Sequence, residues 1–188
     1  MDGSVYGENR YCSYNYTIKK AQEQLNRVSD TNILLEKSRK FIDNKSYQLA
    51  GIVLENLINQ QSDNCESLSH YGFVSFMLGN YRDALESNKK LLEINPSDAY
   101  ALKGYGLSTA RLGNIDEGIS YLIKSIENSD ESFLDPYHDL AVVYYENGRI
   151  SDAKDILDKG RSKSQRFKEQ TDDFCKILDS ISSTDNNQ

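Results

Sequence analysis

The 188-residue sequence contains no tryptophan, two prolines, two histidines and three cysteines, and each scarcity narrows what the chain can be. Proline normally makes up roughly 5% of a chain. Its near-absence suits backbone that is helical almost throughout, since proline removes an amide donor and clashes with the preceding helical turn. Cys12, Cys65 and Cys175 are widely spaced and form no C-x-x-C pair, which excludes zinc-ribbon and thioredoxin-type motifs. Free thiols in a reducing compartment are expected instead. No stretch approaches the roughly 18 apolar residues of a membrane span, and residues 1–20 lack the apolar core of a secretory leader. The sequons at Asn15 and Asn44 therefore carry no weight. A cytoplasmic location without membrane insertion is the expectation.

Basic clusters are missing as well. Lysine and arginine total 22 against 29 acidic residues, a net charge of −7, and the pI is about 4.9. A nucleic-acid binder neutralises phosphates with a basic face, whereas Lys19-Lys20 and Lys89-Lys90 are isolated pairs. No nucleic-acid partner is expected. Catalytic motifs are absent too: there is no H-E-x-x-H, G-x-S-x-G or phosphate-binding glycine loop. Gly104-Tyr105-Gly106 follows no strand pattern and reads as a helix-packing site. Asp83 and Glu86 lie one turn apart, as charges on any solvated helix face do. His70 and His138 fall in different segments, so no shared metal is expected. No enzyme activity, metal or cofactor follows from these residues.

What the sequence does contain is a repeat. Three segments align: Tyr71-Gly72 through Gly79-Asn80-Tyr81 to Ala84-Leu85, Tyr105-Gly106 through Gly113-Asn114-Ile115 to Gly118-Ile119, and Leu140-Ala141 through Gly148-Arg149-Ile150 to Ala153. Gly79 and Gly113 are 34 residues apart, and Gly113 and Gly148 are 35 apart. A weaker copy precedes them, with Tyr47 and Ala50 each 34 residues ahead of Tyr81 and Ala84, and with Lys45 in place of glycine. Each copy reads as two amphipathic helices on a tight turn. Gly79 can end a helix in the left-handed conformation. Tyr81, Ala84, Leu85, Asn88, Leu91 and Leu92 then resume the 3.6 period, and Pro96 stops it. Asp135 is the expected N-cap, with Pro136 opening the helix that follows. Gly72 with Ala84, and Gly106 with Gly118, mark places where two helices approach closely.

Period, helix–turn–helix pattern and the order Leu-x-x-Tyr-Gly…Gly-Asn-Tyr-x-x-Ala…Pro resemble the tetratricopeptide repeat, TPR. The copies run over Thr31–Asn64, Cys65–Asp98, Ala99 to about Glu131 and Leu134 to about Phe167, about 135 residues together. The third departs from the pattern with Gly118 for Ala and lacks the closing proline; the fourth carries Gly160 in its second helix region. The resemblance implies an all-α fold, a right-handed α-solenoid of about four TPR helix–turn–helix repeats with a C-terminal capping helix. That capping helix is expected over Gln165–Ser182, with Phe167, Phe174, Ile177, Leu178 and Ile181 on one stripe. The expected organisation is a polar segment over 1–30 with a weak amphipathic helix at Tyr16–Val28, one TPR domain over 31–182, and a disordered tail over 183–188.

The resemblance also implies that the first helices line a concave groove. The candidate partner-binding residues are Phe73, Phe76 and Met77 in the second copy, Tyr100, Leu107 and Arg111 in the third, and His138, Val142 and Tyr145 in the fourth. Lys103, Asp135 and Asp139 hold polar groove positions. Members that clamp a carboxyl-terminal peptide use Lys and Asn in one repeat and Lys and Arg two repeats on. Here those places hold Leu35, Arg39, Tyr100 and Gly104, or Ser69, Phe73, Asp135 and Asp139 in the next register, so the chaperone clamp is absent. A wet surface this apolar implies an occupant: the chain's own Tyr16–Val28, a helix or peptide of a partner protein, or a second copy. An adaptor or chaperone is expected, with a homo-oligomeric scaffold as the alternative.

Overall fold

The structure is a computed structural model that describes Lys20 and residues 30–185. Apart from Lys20, the expected helix over Tyr16–Val28 lies outside the described residues, as do residues 186–188. The described residues contain ten helices and no strand. They fall into two compact units, within Met1–Asn80 and within Tyr81–Gln188. The first holds α1 (Thr31–Asp43), α2 (Tyr47–Gln60) and α3 (Cys65–Met77). The second holds α4 (Tyr81–Ile94), α5 (Ala99–Arg111), α6 (Ile115–Asn128), α7 (Asp135–Glu146), α8 (Ile150–Arg161), α9 (Gln165–Gln170) and α10 (Asp172–Asp185).

Helix ends follow from the residues placed there. Asp30, Asn64 and Asp98 cap α1, α3 and α5, their side-chain oxygens accepting from amides of the first turn, at 2.9 Å from Asn32, 2.8 Å from Ser67 and 2.8 Å from Ala101. Such a cap contributes about 1 kcal/mol over alanine. Asp135 is not a cap, contrary to expectation: it is the first residue of α7, and Leu134 precedes it without a side-chain bond. The preceding turn is held by Asp130, whose carboxylate accepts from the amides of Ser132 and Phe133 at 2.8 and 3.0 Å.

Four of the turns between helices, one within each repeat, share one construction. In each, the amide three residues past the helix reaches back to a carbonyl five residues earlier: Ser46 to Phe41, Asn80 to Ser75, Asn114 to Thr109 and Arg149 to Tyr144, at 2.8 to 3.1 Å. This closure needs a left-handed residue between. Glycine supplies it at Gly79, Gly113 and Gly148, and Lys45 adopts it in the first copy, with φ of 56°. The degenerate copy keeps the turn and carries the strain of a side chain in that conformation.

The unit within Met1–Asn80 packs Leu34, Ala50, Val53, Leu54, Leu57 and Val74 into one buried cluster. In the other, Ala110, Ile119, Leu122, Leu140 and Val143 form one cluster and Leu134, Tyr137, Ala141, Ala153, Leu157, Phe167 and Leu178 another. Ile126, Tyr144 and Ile156 pack against both. At the α5–α6 crossing the backbones touch. A Cβ on Gly106 would lie 2.8 Å from the Gly118 carbonyl, and one on Gly118 would lie 2.7 Å from the Gly106 carbonyl and 2.8 Å from Ala110. Gly160 is likewise a packing position: its missing Cβ leaves room for Phe167 and Tyr137.

The expected single capping helix is two helices broken at Thr171. The Thr171 hydroxyl donates to the Phe167 carbonyl at 2.8 Å, while Arg161 donates to the Lys168 carbonyl at 2.9 Å and to Thr171 Oγ1 at 3.1 Å. These bonds divert groups that a continuous helix would use. Phe167 and Leu178 are buried as expected, but Ile177 is 47% exposed. The backbone stays helical to Asp185, beyond the expected boundary at Ser182.

Left-handed geometry costs an ordinary residue about 1–2 kcal/mol, and glycine returns about 0.5–1 kcal/mol of that as unfolded-state entropy. Lys45→Gly is therefore expected to raise Tm slightly, by about 2–4 °C for each kcal/mol recovered. Thermal unfolding followed by circular dichroism checks the sign.

Candidate functional site

In the unit within Met1–Asn80 the candidate residues lie on α3. Phe73 is half-buried and sets its ring edge-on to Tyr47 of α2, with centroids 6.0 Å apart. Phe76 is half-buried, and Met77 is 47% exposed. One turn before Phe73, His70 buries its Nδ1 without a hydrogen-bond partner among the described residues. Burial holds this imidazole below its ordinary pKa; Glu66 and Asp43 oppose the shift, and Arg39 adds to it. Arg39 of α1 in turn pairs with Glu66 of α3, its Nε donating at 2.8 Å.

In the other unit, α5 and α7 are joined at two levels. Near their N-termini, Lys103 sits 3.6 Å from Asp135 and 3.7 Å from Asp139. Its side chain is only 14% exposed, with the ammonium 5.0 Å from the Tyr100 ring and 5.3 Å from that of Phe133. Burial, with Asp135 and Asp139 nearby, raises the Tyr100 phenol above its usual pKa. At the C-terminal level Arg111 grips Glu146 with both nitrogens, at 2.7 and 3.0 Å. Leu107 and Val142, both half-buried, lie between these levels on their helices.

The capping helix reaches the same face. Phe174 of α10 meets His138 edge-on at 5.7 Å and Tyr145 at 5.6 Å. Tyr145 still keeps 36% of its surface exposed, and Tyr100 keeps 37%. A pocket of about 250 Å³ opens among Lys103, Asp135, His138, Asp139, Gln170 and Thr171. It holds two carboxylates to one ammonium. Among the described residues no group of three or more His, Cys, Asp or Glu side chains converges as metal ligands. The arrangement can bind through apolar anchors and a polar pocket.

Thus Tyr100, Leu107, Arg111, His138, Val142 and Tyr145 lie on two helices linked by ion pairs, and Phe73, Phe76 and Met77 lie on α3. Phe133 and Phe174 were missed because they lie outside the first helices. The ion pairs had a sequence signal: Arg111 and Glu146 are opposite charges 35 residues apart, the same offset as Gly113 and Gly148.

No protein-family profile matches the chain. An 85-residue stretch is 35% identical to a TPR repeat-containing protein of Methanocaldococcus jannaschii, covering 44% of this chain and 14% of the relative. The chain thus matches about one seventh of that relative's length. Among solved structures, a MamA fragment from Desulfovibrio magneticus RS-1 is similar, with a TM-score of 0.65, 17% identity and coverage of 84% of this chain and 91% of that one. So is YrrB, described as a TPR protein with an unusual peptide-binding site, with a TM-score of 0.61, 18% identity and coverage of 83% and 84%. At these identities the likeness is one of fold. Among the described residues no helix is long and apolar enough to cross a membrane.

A histidine whose native pKa is depressed binds its proton more readily when unfolded. Its contribution to stability is full above about pH 6.5 and is lost as the pH falls through the folded-state pKa. His70→Gln is expected to flatten the decline in Tm between about pH 7 and 5, the range before most carboxylates protonate. A series of thermal melts on both proteins measures the two slopes.

Proposed function

From its tetratricopeptide-repeat fold, we propose that this chain is a non-catalytic protein-interaction module, an adaptor or chaperone that receives a peptide or helix of a partner on its first-helix faces. The observation carrying this reading is that α5 and α7, the first helices of two successive repeats in the unit within Tyr81–Gln188, each leave a large apolar side chain open: Tyr100 at 37% and Tyr145 at 36% exposure. Fully burying one such side chain contributes about 1.5–3 kcal/mol, so a few anchors outweigh the cost of ordering a peptide. Peptide binding by the similar structure YrrB supports the reading by analogy. A net charge of −7 favours a protein partner over nucleic acid.

The second reading, a homo-oligomeric scaffold, draws on Ile177, which leaves 47% of its surface open on the terminal helix. Light scattering over a concentration series separates the two, because a strict monomer contradicts the scaffold. For the adaptor, affinity capture followed by mass spectrometry should yield a reproducible partner that Tyr100→Glu with Tyr145→Glu no longer retains. Far-UV circular dichroism should stay unchanged. Retention of the same partner by that double variant would overturn the assignment.

A further inference from the structure

The second helices carry a feature that peptide binding on the first helices leaves unused. A cleft of about 390 Å³ lies between α6 and α8, at the lower end of the size range of ligand sites. Tyr137, Leu140 and Tyr144 of α7 line it, together with Ile123 and Ile126 from α6 and Ile156 from α8. Ile123 is 39% exposed, so the apolar surface is open to solvent. Helical spacing arranges its edges. Ile123 and Glu127 are one turn apart on α6; Asp152, Asp155, Ile156 and Lys159 follow one stripe of α8.

The lining holds three carboxylates, Glu127, Asp152 and Asp155, against one ammonium, Lys159. Asp152 shares an oxygen with Arg149 at 2.6 Å. Among the described residues no cation lies in ion-pair range of Glu127 or Asp155. An apolar trough bounded by unpaired carboxylates fits a segment that presents aliphatic side chains flanked by Lys or Arg. Two banks, each a helix, suit a third helix laid between them, with anchors at i, i+3 or i+4, and i+7. A second copy fits less well, because the chain carries a net −7 and would bring acidic surface to an acidic rim.

We propose that the α6–α8 cleft is a second docking surface, distinct from the first-helix faces, for a cationic amphipathic helix of another protein. Leu-type anchors fill the isoleucine-lined trough, and Lys or Arg side chains pair with Glu127 and Asp155. Because those pairs are partly solvated, salt weakens binding.

Fluorescence anisotropy on the full chain tests this with a fluorescein-labelled Leu/Lys peptide of about 18 residues, long enough to form a helix. A counterpart carries Glu in place of every Lys. The Leu/Lys peptide is expected to bind, and the Leu/Glu peptide is not. Reversing both carboxylates, Glu127→Lys with Asp155→Lys, should weaken the Leu/Lys peptide by about tenfold or more, 1.4 kcal/mol per decade, and should admit the Leu/Glu peptide. Ile123→Asp should weaken both combinations, with circular dichroism verifying the fold of every variant. The proposal is overturned if Glu86→Lys with Glu93→Lys on α4 has the same effect, since binding then follows overall acidity. It is equally overturned if the cleft variants bind as the parent does. Loss of a concentration-dependent dimer in Ile123→Asp, seen by light scattering, would overturn it in favour of a second copy.

Discussion

At the crossing of α5 and α6 two helix backbones meet at Gly106 and Gly118, each missing Cβ replaced by the other's carbonyl. That contact fixes how deeply the two helices interlock, and the neighbouring packing is built to the same spacing. Ala110 and Leu122 close around it, and Leu122 passes the packing on to Leu140 and Val143 of α7. With α5 held at this depth, Lys103 and Arg111 sit at the right height to meet Asp139 and Glu146 one repeat later. The candidate face therefore inherits its geometry from this backbone contact.

The face combines two kinds of residue with different work. Exposed ion pairs contribute about 0–1 kcal/mol each, so Arg111–Glu146 sets register more than stability. The more enclosed Lys103, shared by two aspartates and two aromatic rings, is the firmer of these contacts. Between these charged levels the apolar residues stay only partly covered. Phe174 of α10 takes some of the surface of His138 and Tyr145, while Phe167 and Gln170 of α9, with Thr171, form one wall of the polar pocket.

Much of this was legible in the residues. The 34-residue spacing of glycines reports the turns because left-handed closure is needed once per hairpin, and the close approach at Gly106 and Gly118 follows from the small residues placed there. Where the sequence reading failed, a side chain chose a tertiary partner. Thr171 breaks the terminal helix because Arg161, distant enough to be invisible to periodicity, takes its hydroxyl and the Lys168 carbonyl. Asp135 gives up the expected capping role and lies beside the Lys103 ammonium. Lys45 marks no departure of this kind: it holds the glycine position of the first copy, and the backbone bonds there are the same as in the glycine copies. Phe133 could be placed beside Lys103, and Phe174 against His138 and Tyr145, only once the third dimension was known.

The claim that backbone contact at the α5–α6 crossing governs this unit is tested most directly by the melting temperatures of Gly106→Ala and Gly118→Ala. Helix propensity alone favours alanine by about 1 kcal/mol. Overpacking at a backbone contact costs about 1–3 kcal/mol or more, and the nearest atoms here are main-chain or short side-chain groups that cannot swing aside. The account predicts a lower Tm for each variant, by about 2–4 °C per kcal/mol of net loss. An unchanged or higher Tm in both would contradict it.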